Sequence, residues 1–562
     1  MANKYMYGVY GELRKSIARS AIQSGSVAVY VGTAPVHLVR DYKEKNLVNM
    51  PVKLINYLNA QENMGYSKDW DSYTICEAMD AHFNNPIQNV GPIYVINVFD
   101  PDTMRPKAEE IVKTVELSGM KIFIEDNGMV KNTIKISGYE NGEDFEIVYS
   151  PDGAEISFYE ELQQNIELSY MAVDPTEQTL VFVNGMCEIQ STTIILDTLA
   201  LNGLIEGVDY SVDYDFAKGK VLLYSLGSEN PIEGNVESVY FEVESNLVTK
   251  EDIIGGRTAN GVVSGLHAIK LVYQETNAIP TYLSVPKWSV FPEVFNTMAS
   301  VAQNINGHWN AFFNADLPLE SGNKKVDTRE KAVNWKKVNG YRNERGKVCW
   351  PKYELSDGRI FHISTLTTWL MLQVDFTHDS IPFETPANKE LPPGRPYYGK
   401  YSTNRGYDQE ECNEITSWGI TTAMYDAGKW VLWGDHTSAY SYGGELDPRG
   451  IFDSNIRMLL YLINQFQLRW KNTIDQPMTI GLKDTILNTE QTILDSLKGR
   501  GALLGNPKIM FLEEHNDIVD LMNGVFYWDI HATPTPPFKS GIVGVSYTDE
   551  GFSSYIDGGV SQ

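Results

Sequence analysis

The chain of 562 residues carries a net charge of −27, with 42% apolar and 11% aromatic residues. It is long enough for about two to four domains and too apolar to be disordered. The acidic balance argues against a nucleic-acid binder, which needs cations against phosphate, and any self-assembly must overcome the repulsion or be triggered.

Residues 1–25 stand apart from the rest of the chain. Tyr5, Tyr7 and Val9 alternate as in a strand, then Arg14, Lys15 and Arg19 form a basic segment ending at Gly25. This opening has no signal-peptide core, and no window of the chain approaches the roughly 20 apolar residues of a membrane span. A soluble protein made in the cytosol is expected. From Ser26 to residue 106, "SVAVYVGTAPV", "TICEAMDAHF" and "IYVINVFD" read as strand, helix and strand of an α/β layer.

Between 107 and 250 the pattern turns to short alternating strands separated by Gly, Asn and Asp: "NTIKISGY", "FEIVYS", "TLVFVNG", "DYSVDYD", "KVLLYSL" and "SVYFEVES". This reads as an inserted all-β domain with one short helix near Phe158 to Ile166. The α/β pattern resumes over 251–480. It has "IPTYLSVPKW", helix "VFNTMASVAQNIN", strands "WNAFFNADLP" and "KWVLWGDHT", and the amphipathic helix "DSNIRMLLYLINQFQLRWKNTI".

Residues 481–547 form a last α+β unit, with helix "TILNTEQTILDSLKGRG" and strand "KIMFLEEH". Phe526, Trp528, Ile530 and Ala532 then alternate with polar residues, until Pro534, Pro536 and Pro537 stop the strand. A second run, Ile542 to Tyr547, contains Val543, Val545 and Tyr547, and the tail 548–562 carries Phe552, Tyr555 and Ile556. Two strands and a sparse tail are marginal as a sheet, so further strands are expected from elsewhere.

No constellation points to catalysis. Asp435, His436 and Ser438 are close in "WGDHTSAYSYGG", but on a strand Asp435 and His436 face opposite sides and cannot relay a proton. "THDS" at Thr377 to Ser380 reads as a helix exit. The nine histidines include no metal-spaced pair, and His308 is expected to pack on Trp309. Cys76, Cys187, Cys349 and Cys412 lack a Cys-x-x-Cys pair and read as buried reduced thiols. "IIGGRTANGVVSG" lacks the Lys-Ser/Thr end of a phosphate loop. No cofactor or metal is expected. The stretch from Asn323 to Lys352 holds ten Lys and Arg residues, among them Lys324, Lys325, Arg329, Lys331, Lys336, Lys337, Arg342, Arg345 and Lys347, against Asp327, Glu330 and Glu344. It reads either as a locally balanced solvated face or as a cationic patch docking on an acidic partner.

Several segments together resemble contractile tail sheath proteins of bacteriophages and related phage-tail-like bacteriocins. They are "VAVYVGTAP", "MGYSKDWDSYTICEAMDAHFNN", "VGPIYVINVFDP", "DIIGGRTANGVVSGLHAI", "FETPANK", "GITTAMYDAGKWVLWGDHTS", "GNPKIMFLEEHN" and "TPTPPFKSGIVGVSYT". Gly419, Ile420, Thr421, Trp433, Gly434 and Thr437 match the family's two glycine-bearing strands. "PTYLSVPKWS" departs from it, with Lys287 and Trp288 after Pro286 where the family has Pro-Gly. Each match is weakly specific; their order along the chain from about residue 26 is the signal. The resemblance leaves out the β insertion and the lysine-rich stretch. "EGVDYSVDYDFAKGKVLL" is similar to a small β domain of sheaths from phages of low-GC Gram-positive bacteria.

The resemblance implies a multidomain sheath-type fold. It would have an α/β core, an inserted outer all-β domain and a C-terminal inner α+β domain completed by strands from neighbouring subunits. Arms would be donated from residues 1–25 (Tyr5, Tyr7, Val9, Arg14, Lys15) and 548–562 (Phe552, Tyr555, Ile556). They would add to a sheet built on Phe526, Trp528, Ile530, Val543, Val545 and Tyr547. Arg14, Lys15 and Arg19 would lie near Asp549, Glu550 or Asp557 of a neighbour. The function implied is a non-enzymatic sheath of hexameric rings stacked helically around a tail tube, in a virion tail assembled in the host cytoplasm. Its contraction from a metastable state would drive the tube through a cell envelope. Partners implied are other copies, the tube protein, baseplate and tail terminator, with no direct nucleic-acid contact and no membrane insertion. Lys498 and Arg500 are the expected tube contacts, with the lysine-rich stretch second. A headless bacteriocin-like particle remains an alternative, as does, from another class, a cytosolic hydrolase with a β accessory domain.

Overall fold

Uninterrupted apolar runs become parallel strands buried on both faces, and in the computed structural model, which describes residues 22–150, 152–227, 231–258, 260–322, 324–552 and 555, they build one eight-stranded sheet. Its strands are β1 (Ile22–Gly32), β2 (Pro51–Leu54), β3 (Val90–Asn97), β4 (Tyr282–Ser284), β5 (Phe312–Asp316), β6 (Gly346–Cys349), β7 (Ile420–Asp426) and β8 (Lys429–Trp433). The order is β2-β3-β1-β4-β5-β6-β7-β8. The six inner strands run parallel, and β2 and β8 close the two edges antiparallel. Strand β1 begins at Ile22, pairing with Val90, four residues before the Ser26 start expected from the sequence.

Helices α1 (Thr74–Phe83) and α2 (Ile363–Thr377) pack on β1 and β3 and on each other. Every residue of α1 is buried, so its polar members need partners. Glu77 accepts from the backbone N–H and the ring Nδ1 of His362, both at 2.7 Å, and Asp80 accepts from Arg359 at 3.0 Å. His82 donates from Nδ1 to the Val90 carbonyl at 2.9 Å and accepts the Tyr30 hydroxyl at 2.8 Å on Nε2.

The stretch 109–240 is β in two pieces, each over its own apolar core. In the first, Glu109–Glu125 pairs along most of Gly153–Ala172, with Lys135–Ile136 and Phe145–Ser150 added. In the second, two three-stranded antiparallel sheets enclose Phe182, Tyr210, Val221 and Leu223. The short helix expected at Phe158 to Ile166 is strand: Phe158 pairs with Phe145 and Ile166 with Val115. "EELQQ" has helical propensity, but Phe158, Ile166, Leu168 and Tyr170 are buried against Leu117, Ile124 and Phe145, and cross-strand packing outweighs it.

Helix α3 (Asp453–Trp470) joins two cores. Ile456 and Leu460 pack with the large sheet, whereas Met458 and Leu462 join Leu494, Leu497, Leu503 and Ile509 of the C-terminal unit. That unit consists of helix α4 (Ile480–Gly499) and strands β9 (Leu503–Met510) and β10 (Asp529–Pro534). Arg469 near the end of α3 forks onto buried Glu490 of α4 at 2.8 and 2.6 Å, and the Trp470 indole donates to the same carboxylate at 2.7 Å. The glycine-rich stretch is a close backbone crossing. Gly255 and Gly265 have φ of +65° and +57°, and a Cβ on either would stand 2.1 or 2.4 Å from a carbonyl oxygen of the other strand of the crossing.

Candidate assembly interface

The C-terminal sheet has two strands among the described residues. Strand β10 pairs antiparallel with β9, from Leu503 with Pro534 to Met510 with Asp529, and the register is interrupted between Leu504 and Lys508. Neither strand has a second partner strand among the described residues, so each presents an unpaired edge. One face is well seated: Trp528 packs 5.9 Å from Phe466 and 5.8 Å from Phe511, and half-buried Ile530 joins the cluster of Leu494, Leu497 and Ile509. Phe526, half-buried beside Trp528, precedes the strand, which starts at Asp529. Pro534 lies in β10 rather than stopping it. Its missing N–H is tolerated because it sits at the end of an edge strand.

Val543, Val545 and Tyr547, expected in the accepting sheet, are in no strand and are 84%, 90% and 85% exposed. Among the described residues no strand pairs with them, and burial of their apolar surface requires another surface. Phe552 ends a single helical turn, Glu550–Phe552, at 52% exposure, and Tyr555 is exposed. Tyr5, Tyr7, Val9, Arg14, Lys15, Arg19, Asp557 and Ile556 lie outside the described residues. Lys498 is exposed at the end of α4, and Arg500 pairs with Asp379.

The core beside this unit is held by a buried charge network. Arg457 of α3 donates from Nη1 to the Tyr282 hydroxyl at 3.1 Å and Asp375 Oδ1 at 3.2 Å, and from Nη2 to the Glu384 carbonyl at 2.6 Å. Asp375 also accepts from Ser26 at 2.7 Å and from Tyr282. One turn away Asp453 pairs with Lys347, whose ammonium donates to the Gly434 carbonyl at 2.8 Å. Two cations thus face two carboxylates, all within 2% of full burial. Burial pushes the Asp375 carboxyl up, against the Arg457 guanidinium and the Tyr282 and Ser26 hydroxyls that hold it down. Burial would lower Arg457, but Tyr282, Asp453 and Asp375 outweigh it and keep the guanidinium charged. This set ties β1, β4, β6, α2 and α3 together.

Much of the lysine-rich stretch is engaged inside the chain. Lys347 is in the network, and Lys336 is buried, donating to the carbonyls of Trp418 at 2.6 Å and Ser438 at 2.7 Å. Burial, with Arg342 and Lys337 nearby, pushes the Lys336 ammonium down to about 7. Arg329 reaches Glu411 at 2.8 Å and Glu414 at 3.2 Å, and Lys331 pairs with Asp327 at 2.7 Å. Lys324 and Lys325 remain exposed in a small hairpin.

Asp435 and His436 do not face apart. Strand β8 ends at Trp433, and both side chains turn to Lys539, with Asp435 Oδ1 3.7 Å from His436 Nε2. Ser438 is not with them; its hydroxyl donates to the Asn343 carbonyl at 2.9 Å. No serine relay results. His308 packs on Trp309 at 4.2 Å, Thr377 ends α2, and all four cysteines are buried and free. A groove of about 640 Å³ lined by Ser26, Thr281 and Phe312 lies at the N-terminal ends of the parallel strands. Open α/β sheets bind ligands at the opposite ends. No helix among the described residues is long and apolar enough to cross a membrane.

No family model matches. The tail sheath protein of Burkholderia phage BcepMu is 22% identical over 570 residues, covering 99% of this chain and 98% of its own. A prophage protein of Pseudomonas aeruginosa strain UCBPP-PA14, named for the role of major tail sheath protein, is 23% identical over 315 residues, 54% of this chain and 74% of its own. Among solved structures, a chain of the anti-feeding prophage baseplate superposes with a TM-score of 0.51 at 12% identity, over 97% of this chain and 99% of that one. The fold is therefore the mixed α/β, several-sheeted one of that chain. The resemblance read from the motifs, to contractile tail sheath proteins, is the one these relatives carry in their names.

Proposed function

We propose that this chain is a non-enzymatic subunit of a contractile sheath, in a phage tail or a phage-tail-like particle, packed as hexameric rings stacked helically around a tube. The observation that carries this is the end-to-end correspondence with the BcepMu tail sheath protein. The open C-terminal sheet and the exposed Val543, Val545 and Tyr547 support the way subunits would join. In this reading residues 1–21 are one arm, since Ile22 already belongs to the core strand β1. The other, expected at 548–562, starts after Lys539, because Val543, Val545 and Tyr547 are in no strand of their own chain. Strands from neighbouring subunits complete β9–β10. Main-chain hydrogen bonds would give affinity and alternating side chains register. Residues 22–106 and 251–480 are the core domain, 107–250 the outer domain, and 481–539 the inner unit toward the tube protein, where exposed Lys498 and Arg500 are the contacts offered. Baseplate and terminator proteins would cap the stack, and assembly would take place in the host cytoplasm.

Contraction is then rigid-body repacking between subunits that stay linked through their arms. Helix α3 suits this role, since its buried charges belong to the core and its other face to the C-terminal unit, so that the two move together. Negative-stain electron microscopy of the purified protein, beside a variant lacking residues 1–21, tests the reading. Rings or tubes in the full-length sample that are lost in the variant support it. Identical tubes from both samples would remove the N-terminal arm from the account.

A further inference from the structure

Between residues 535 and 547 the chain makes few polar contacts with the rest of the protein. Among the described residues, hydrogen bonds and ion pairs that tie 535–547 to the rest of the protein come from Thr535 and Lys539. Thr535 closes on the end of α4, its N–H donating to the Ala502 carbonyl at 3.1 Å and its hydroxyl to the Gly501 carbonyl at 2.6 Å. Lys539 reaches back into the core, donating to Asp435 Oδ1 at 3.0 Å and to His436 Nε2.

Its receiving site is built by the core alone. His436 is 3% exposed, stacked at 3.5 Å on Tyr440 and 5.2 Å from Phe452, with Nδ1 3.0 Å from the Ile451 carbonyl. A carbonyl only accepts, so Nδ1 carries the ring proton and Nε2 offers a lone pair to the ammonium. Asp435, 8% exposed, supplies the counter-charge, and the rings of Tyr440 and Phe452 lie 5.7 and 6.0 Å from the lysine nitrogen. A carboxylate, an imidazole lone pair and two aromatic faces make a socket for one cation. Between Asp529 and Asp549 the sequence holds a single formal charge, and it is Lys539.

We infer that this socket roots the C-terminal arm. Lys539, seated between Asp435 and His436 of its own subunit, fixes where residues 540–555 leave the surface, and so which other copy of this chain they reach and in what register. The second half rests on the sheath reading; the root itself does not. From Lys539 to Tyr555 is 16 residues, about 55 Å when fully extended. Released to Thr535, the arm gains four residues, about 13 Å, which is nearly three strand spacings. An unrooted arm could therefore pair in several registers.

The test uses spin labels on the full chain, placed by Ile542→Cys on the arm and Tyr442→Cys beside the socket; the native thiols are buried. Pulsed electron paramagnetic resonance should give one narrow distance distribution. Lys539→Met and Asp435→Asn should each broaden it at least twofold, and Lys539→Arg should restore most of the narrowing. Lys539 is 43% exposed on the outside of the fold, so its variants should fold, and circular dichroism checks Asp435→Asn, whose carboxylate is buried. A distribution that stays narrow in Lys539→Met, or is already broad in the parent, overturns the root. Electron microscopy then reads the second half: Lys539→Met should give irregular or no polymer where the parent gives regular tubes. Regular tubes from a variant with a broadened distribution would show a root without control over assembly. A parent that forms no polymer even on added tube would count against the sheath reading, while the label distances still decide the root.

Discussion

Replacing Arg457 by methionine removes one of two cations from a buried set of two cations and two carboxylates. Methionine has similar reach, so little empty space results, and the cost comes from the groups left behind. Asp375, fully buried, keeps the hydroxyls of Ser26 and Tyr282 but loses its counter-charge, and the Glu384 carbonyl loses its donor. Breaking a buried ion pair from one side costs about 3–5 kcal/mol. The orphaned carboxylate can escape part of that by binding a proton, and burial already pushes it upward. A carboxyl raised in the folded state binds protons that the unfolded chain does not, so the variant's deficit is full at pH 8 and shrinks as pH falls toward 5. Urea unfolding followed by tryptophan fluorescence at both pH values measures it. Adding Asp375→Asn should recover about 1–3 kcal/mol, the signature of coupled partners. A loss below about 1 kcal/mol, or a double variant equal to the sum of the singles, would refute the reasoning.

Other expectations are simpler to read. Val543→Lys with Val545→Lys should change urea stability by less than about 0.5 kcal/mol, because both sites are exposed, yet abolish polymers in sedimentation. Leu494→Ala, at the centre of the C-terminal cluster, should cost about 2–5 kcal/mol, with early proteolytic release of the 480–534 region; unchanged proteolysis would deny that cluster its role. His37 is buried and neutral, and burial pushes it down to about 4 from 6.5. Its contribution is fully present above pH 6.5 and is lost as pH falls through that value, about 2 kcal/mol by pH 5. The urea midpoint should therefore drop less between pH 7 and pH 5 in His37→Gln than in the parent, and equal drops would contradict the assignment.

Local pattern carried much of the fold. "TICEAMDAHF" is a helix over the same residues, Thr74–Phe83, and "FEIVYS" a strand over Phe145–Ser150, because their periodicity agrees with their burial. Failures came where distant residues decide. Phe158 to Ile166 is a strand because of partners at 115 and 145. The lysine-rich stretch is cationic in sequence, yet its answering groups are Asp453, Glu411 and the carbonyls of Trp418 and Ser438. Asp435 and His436 would face apart on a strand, but β8 ends two residues earlier and Lys539, over 100 residues on, gathers them. Trp528 and Ile530 were legible as a seated face from alternation. The exposed state of Val543, Val545 and Tyr547 was not, since a lone sequence cannot say which strands another copy supplies.

Completion of the C-terminal sheet by other subunits can be seen directly in the assembled state. Electron cryo-microscopy of the polymer, at a resolution that traces the main chain, is the experiment that reads it. In the polymer β9–β10 should carry at least one added strand on a free edge, with Val543, Val545 or Tyr547 of a different copy buried against it. A two-stranded sheet with bare edges inside a regular tube would contradict it.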